Sequence, residues 1–269
     1  MTDNSTQQPQ IEPGPGEAQA ADILVAPMPT TPPRSQWAEV WSQFRHHKGA
    51  MVGAVVFFLI VAIVFLGPFF WTIQASYSDI RARNQGPSLA HPFGTDQLGR
   101  DMLARMMAGG QVSMSVGIVA MLLALFLGSF VGVLAGYFKA LDNLLMRVTD
   151  LFLALPLLPL LLVMVMLFRD PLSKAFGPET GIFILIVVAI GLTSWMPTAR
   201  IVRGDVLALK EREFVLAARS IGTTNGMMVI RHILPNVISP IVVSATLGIA
   251  NAIITESALC FLGSGFAPN

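Results

Sequence analysis

Lys210-Glu211-Arg212-Glu213-Phe214-Val215-Leu216-Ala217-Ala218-Arg219-Ser220-Ile221-Gly222 lies between two long apolar runs and reads as a short, charged helix that ends on a glycine. Phe214, Ala217 and Ala218, and Ile221 recur at i, i+3/i+4 and i+7, so they gather on one helix face. Alanines keep that face shallow, and another protein's surface can approach it closely. Gly222 suits the left-handed position just past a helix end. Thr224 or Asn225 can cap a second short helix, which leads through His232-Ile233-Leu234 to Pro235 and Asn236. Periodicity alone leaves two readings open: a helix folded back on its own protein, or one that docks on a partner.

The flanking runs set the solvent. The chain has 269 residues, of which 54% are hydrophobic and 12% charged, with a mean hydropathy of +0.65. Soluble domains carry about 25% charged residues, so this is an integral membrane protein. About 20 helical residues cross a hydrocarbon core of about 30 Å. Apolar runs of that length begin near 51–71 and recur at 112–137, 144–168, 181–198 and 234–258. In lipid the backbone must satisfy its own hydrogen bonds, which makes these runs helices and the fold an all-α polytopic bundle.

The N-terminal region differs. Residues 1–35 hold seven prolines and no apolar period, and are expected to form a disordered tail. Over 36–50, Trp37, Val40, Trp41 and Phe44 fall at helical spacing before Arg45, His46, His47 and Lys48. That pattern predicts an amphipathic helix at the lipid headgroups, basic end inward. The membrane domain then covers 51–269, with a cytoplasmic loop at 199–233. With the N-terminus inside, eleven Lys and Arg fall on inner segments and six on outer ones, most of the six in one long loop. This places Lys210–Gly222 in the cytoplasm.

The segment resembles the "EAA" coupling loop of ABC importer permeases, with Leu216 standing where that motif begins with Glu. A second block, His91-Pro92-Phe93-Gly94-Thr95-Asp96-Gln97-Leu98-Gly99-Arg100-Asp101, is similar to the "HPFGTDxxGRD" signature of the C-type subunits of dipeptide, oligopeptide and nickel importers. Met146-Arg147-Val148-Thr149-Asp150, continuing through Ala154 to Pro156, resembles the "MRxxDxxxAxP" segment of the same family. The resemblance covers about Phe44 to Phe266. It implies a type I ABC importer transmembrane domain paired with a second homologous permease subunit. It also implies two ATP-binding-cassette ATPase subunits and an extracytoplasmic substrate-binding protein that delivers a dipeptide or oligopeptide. Glu213, Phe214, Leu216, Ala217, Ala218, Arg219, Ile221 and Gly222 would couple to the ATPase. The family pattern has a sixth span, whereas here the sequence runs out at Leu262–Asn269 after five.

Several residues carry two readings. In the second block, Pro92, Gly94 and Gly99 make turns, and Asp96, Arg100, Asp101 and Arg105 can pair with one another. The block is either a self-satisfied cap on the next span or a contact for the binding protein or substrate. Gly128, Gly132 and Gly136 strip one helix face every four residues, for a neighbour in this chain or in the second permease. Arg147 and Asp150 can pair at i, i+3. Pro156 and Pro159 should kink their span, either as a gate or as a static bend. Glu256, an acid near bilayer depth, is a functional candidate by default, although interface depth and a protein partner also account for it. Trp195 reads as an interfacial anchor, and the 14 methionines as packing.

Other classes are disfavoured. There is no GxxxxGK[ST], HExxH or GxSxG, so a nucleotide-hydrolysing or other enzymatic role is not expected of this chain. The single cysteine, Cys260, excludes an intrachain disulfide and a cysteine-based zinc site. A net charge of +1 without like-charge blocks gives nothing for nucleic acid to bind. A secondary carrier or channel would need intramembrane charges or a span repeat, and neither is seen. No cofactor or metal is expected. Among solutes, nickel or another small molecule competes with peptide.

Overall fold

A computed structural model describes residues 36–263, with side chains from Trp41 onward. The expected disordered tail at 1–35 lies outside the described residues, as does the stretch after Gly263. The described chain divides at Leu59/Ile60 into two units. In the first, α1 (Gln36–His46) runs into α2 (Lys48–Phe70), whose opening half exposes Val52, Val55, Phe57 and Phe58. The amphipathic helix therefore ends at His46, and Lys48–Ala50 belong to the following helix rather than to it.

The second unit contains the bundle. After the end of α2 and an irregular loop with one 3₁₀ turn (Ile80–Ala82) comes α3 (Met102–Tyr137). Then follow α4 (Lys139–Leu153), α5 (Leu157–Phe176), α6 (Pro178–Leu209) and the short α7 (Glu213–Ser220). α8 (Asn225–Met227) passes through a π-helical stretch, Met228–Ile233, into α9 (Leu234–Phe261). Among the described residues, four helices are long and apolar enough to cross a membrane, counting Asn225–Phe261 as one. The pair α4 and α5, bent by 86°, makes a fifth if taken as one broken span.

That bend alters the third expected span. Proline lacks an N–H and pushes the residue before it out of the helical region. Pro156 does both at the start of α5, so 144–168 is two helices and not one kinked helix. Pro159 sits in the first turn of α5, where a missing donor costs nothing. α5 returns through Gly177 into α6, and the backbone of Leu172 comes so close to Gly181 that a Cβ there would lie 2.6 Å from it.

The most extensive helix contact is between α3 and α6. A Cβ on Gly128 would meet the Trp195 carbonyl at 2.6 Å, one on Gly132 the Ala199 carbonyl at 2.7 Å, and one on Gly136 the Val206 Cβ at 2.7 Å. Of the two neighbours the sequence allowed, the structure supplies the one within this chain. Without a hydrophobic force between helices in lipid, such backbone contact is what holds them. α9 closes the bundle on α3: a Cβ on Gly117 would meet Ile253 at 2.7 Å, and Val116, Ala120, Ile186, Ile190 and Ala252 fill the space between α3, α6 and α9.

Candidate functional site

α6 continues without a break through Leu209, so 199–209 is helix and the expected loop at 199–233 is shorter by that much. α7 follows after Lys210–Arg212. Glu213 in its first turn and Arg219 in its last complement the helix dipole. Its end is a Schellman motif: Thr223 N–H donates to the Ala218 carbonyl at 3.2 Å and Gly222 N–H to the Arg219 carbonyl at 3.0 Å. Gly222 has φ +84°, a conformation that costs a residue with a Cβ about 1 kcal/mol or more.

α7 is amphipathic, but its inward face is not the expected one. Val215 and Ala218 are buried at 0% and 6% exposure, in a cluster with Val133 of α3, Val202 and Val206 of α6, Met228, Ile233 and Val237. Phe214, Leu216, Ala217 and Ile221 stay exposed, Ile221 at 84%. The expected face of Phe214, Ala217, Ala218 and Ile221 is thus split: Ala218 anchors the helix to its own bundle, and Phe214, Ala217 and Ile221 at i, i+3, i+7 remain free. Tyr137 Oη donates to Asn225 Oδ1 at 2.8 Å, fixing the next turn to the end of α3.

At the other end of α3 the polar block folds into a cap. Asp101 is 1% exposed and serves three groups: it accepts from Ala104 N–H at 2.7 Å as the N-cap of α3, from Trp71 Nε1 at 3.3 Å, and meets His91 Nδ1 at 2.7 Å. Asp96 accepts from the Leu98 and Arg100 N–H groups at 2.8 and 2.9 Å and pairs with Arg105 at 2.5 Å. Burial pushes the Asp96 carboxyl up, but the two backbone donors and the Arg105 guanidinium outweigh it and hold it below the ordinary carboxylate range. Thr95 accepts from Gln85 N–H at 2.9 Å and donates to the Ala82 carbonyl. Gly99 has φ +73°, and a Cβ there would lie 1.7 Å from the Asp79 carbonyl. Gly94 is also left-handed, while Phe93, beside Pro92, is exposed. Arg100 departs from the expected mutual pairing: no carboxylate among the described residues reaches its guanidinium.

Three further polar contacts tie helices together. Asp150 pairs with Arg200 of α6, not with Arg147. Asp142 of α4 takes a two-pronged bond from Arg203, Nε at 2.5 Å and Nη2 at 2.7 Å. Glu256 is 2% exposed and accepts from Ser113 Oγ of α3 at 2.7 Å and Cys260 Sγ at 3.0 Å, so each of its oxygens has a partner inside this chain. The i, i+4 and i, i+3 rules cannot find Asp142–Arg203 or Ser113–Glu256, because these pairs lie 61 and 143 residues apart.

Residues 124–267 match the family described as the binding-protein-dependent transport system inner membrane component. Residues 35–87 match the N-terminal TM domain of oligopeptide transport permease C. The dipeptide transport system permease protein of Alkalihalophilus pseudofirmus is 35% identical over 253 residues, 91% of this chain and 80% of that protein. The oligopeptide transport system permease protein of Bacillus subtilis is 36% identical over 233 residues, 86% and 72%. The glutathione transport system permease protein of Pectobacterium atrosepticum is 34% identical over 237 residues, 87% and 75%.

Proposed function

This chain belongs to the family of binding-protein-dependent transport system inner membrane components, and on that premise we propose that it is the permease subunit of an ATP-driven peptide importer, with α7 as its coupling helix. The observation that carries the coupling role is the division of α7: Val215 and Ala218 lock one face into the bundle, and Phe214, Ala217 and Ile221 offer the other. A helix held on one side transmits a push applied to the other. The partners are a second homologous permease, two ATPase subunits in which ATP is hydrolysed, and an extracytoplasmic binding protein. The N-terminus is cytoplasmic, which puts α7 on the ATPase side and the cap around Asp101 outside.

The push has a route. Val215 and Ala218 bear on Val202 and Val206 of α6, and two arginines of α6, Arg200 and Arg203, hold α4 through Asp150 and Asp142. α4 leads directly to the break at Pro156. Closure of the ATPases would thus reach the α4–α5 elbow through packed groups and ion pairs, and the bundle would switch between inward- and outward-facing states. The peptide substrate rests on the names of the relatives, two of which are dipeptide and oligopeptide permeases.

The test is uptake by the full complex in proteoliposomes. Labelled dipeptides to oligopeptides should accumulate only with ATP and the binding protein. Accumulation driven by a pH gradient without ATP would refute the class. ATP-driven uptake of nickel but not peptide would keep the class and overturn the substrate.

A further inference from the structure

Beside the α4–α5 elbow lies a cavity of about 530 Å³, bounded by that elbow, α6 and α9. The elbow contributes leucines and Phe152, whereas α6 and α9 contribute Thr193, Ser194, Thr198, Ser244, Asn251 and Thr255. No ionisable side chain lines it. Most of its hydroxyls are already engaged: Thr193 donates to the Ala189 carbonyl, Thr255 to the Asn251 carbonyl, and Thr198 and Ser244 bond each other across α6 and α9 at 2.8 Å. Asn251 differs. The residue is exposed, and no described residue bonds its carboxamide. It sits ten residues before the end of α9, about 15 Å along the helix. An open carboxamide at that depth is costly against lipid and unremarkable against water or a polar solute.

We propose that this cavity is a stretch of wall of the solute path, and that Asn251 is its contact for the backbone amides of a peptide. This rests on the permease reading above and adds the site and its selectivity. A carboxamide both donates and accepts, which matches the paired N–H and C=O of a peptide unit. The apolar side chains of the elbow opposite offer a passing side chain no charge and no hydrogen-bonding group. An uncharged wall offers acidic and basic peptides no opposite charge, so this stretch does not select between them by charge. The position is therefore a place where charge selection can be introduced.

The experiment uses the assembled complex with its partner subunits, and has two arms. Asn251→Cys should react with a charged, hydrophilic thiol reagent well above the background set by Cys260 in the unmodified protein, and peptide should slow the reaction about threefold or more. No reaction in the assembled complex would mean that lipid or the second permease covers the position, and would overturn the proposal. In the second arm, Asn251→Asp should raise the uptake ratio of lysine-bearing to glutamate-bearing peptides about threefold to tenfold, the range that one charge gives at path distances. Asn251→Lys should invert the ratio, and Asn251→Gln, which keeps the carboxamide, should leave it unchanged. Equal losses for both peptides in a normally assembled complex would also overturn it. If the unmodified complex imports no peptide at all, the functional reading fails, and the labelling arm still decides whether the cavity is wet.

Discussion

The two ends of α3 differ in what they leave free. At the end that begins with Met102, the cap spends its polar groups internally: Asp101 serves a helix terminus, an indole and an imidazole, and Asp96 serves two backbone amides and Arg105. At the end near Tyr137, α7 is tied down by two residues and keeps Phe214, Ala217 and Ile221 exposed. Both segments resemble motifs of one family, yet one is structurally saturated and the other is half used. A segment whose side chains are spent on its own fold differs from one with side chains to spare by that remainder.

The sharpest way to break the comparison is to put the same charge on adjacent residues of α7. Ala218→Arg should bury an unpaired guanidinium in the Val202, Val206 and Met228 cluster and destabilise the fold by about 3–5 kcal/mol, read as a lowered melting temperature. Ala217→Arg should leave melting unchanged and abolish coupling, read as ATP hydrolysis that no longer drives uptake. Equal melting temperatures for the two variants would mean that α7 has no anchored face. Next in size is the cap. Asp101→Ala removes a helix cap and two side-chain partners from a residue 1% exposed, and should cost about 3 kcal/mol in melting experiments without affecting ATPase binding.

The rod between the two ends comes next. Gly132→Ala forces a Cβ to within 2.7 Å of the Ala199 carbonyl and should cost about 1–3 kcal/mol, whereas Gly109→Ala, with nothing within 4 Å, should cost nothing measurable. A loss confined to complex assembly, with the isolated chain unaffected, would move the glycine contact to a partner. The smallest effect is on pH. The folded pKa of Asp96 lies below its unfolded value of about 3.9. Its contribution is therefore present above that value and lost as pH falls through the folded one. Melting curves taken from about pH 6 down to pH 3 should show this acid limb, and Asp96→Asn should flatten it.

The membrane helices were legible in sequence because lipid allows few alternatives to a helix. The left-handed Gly222 and the turns at Gly94 and Gly99 were legible because those conformations tolerate little else. The inward face of α7 was not. Val215 and Ala218 stand at i, i+3, while Phe214, Ala217 and the C-cap Ile221 stand at i, i+3, i+7, and periodicity cannot say which set meets the bundle. Asp150 was assigned to Arg147 because i, i+3 was the only geometry a sequence offers, whereas the 86° break swings α4 across Arg200 and Arg203. Asn251 went unnoticed because a lone amide in an apolar run carries no pattern.

The length of α3 has a consequence for the lipid around the protein. Its 36 residues extend about 54 Å, against about 30 Å of hydrocarbon, and its two termini are fixed in polar structure. A helix held that way gains nothing by tilting when the bilayer thins or thickens. α5, with 20 residues, counts toward a span only together with α4 and has no comparable surplus. In membranes of different thickness the mismatch strain therefore falls on the broken helix pair at the elbow rather than on α3.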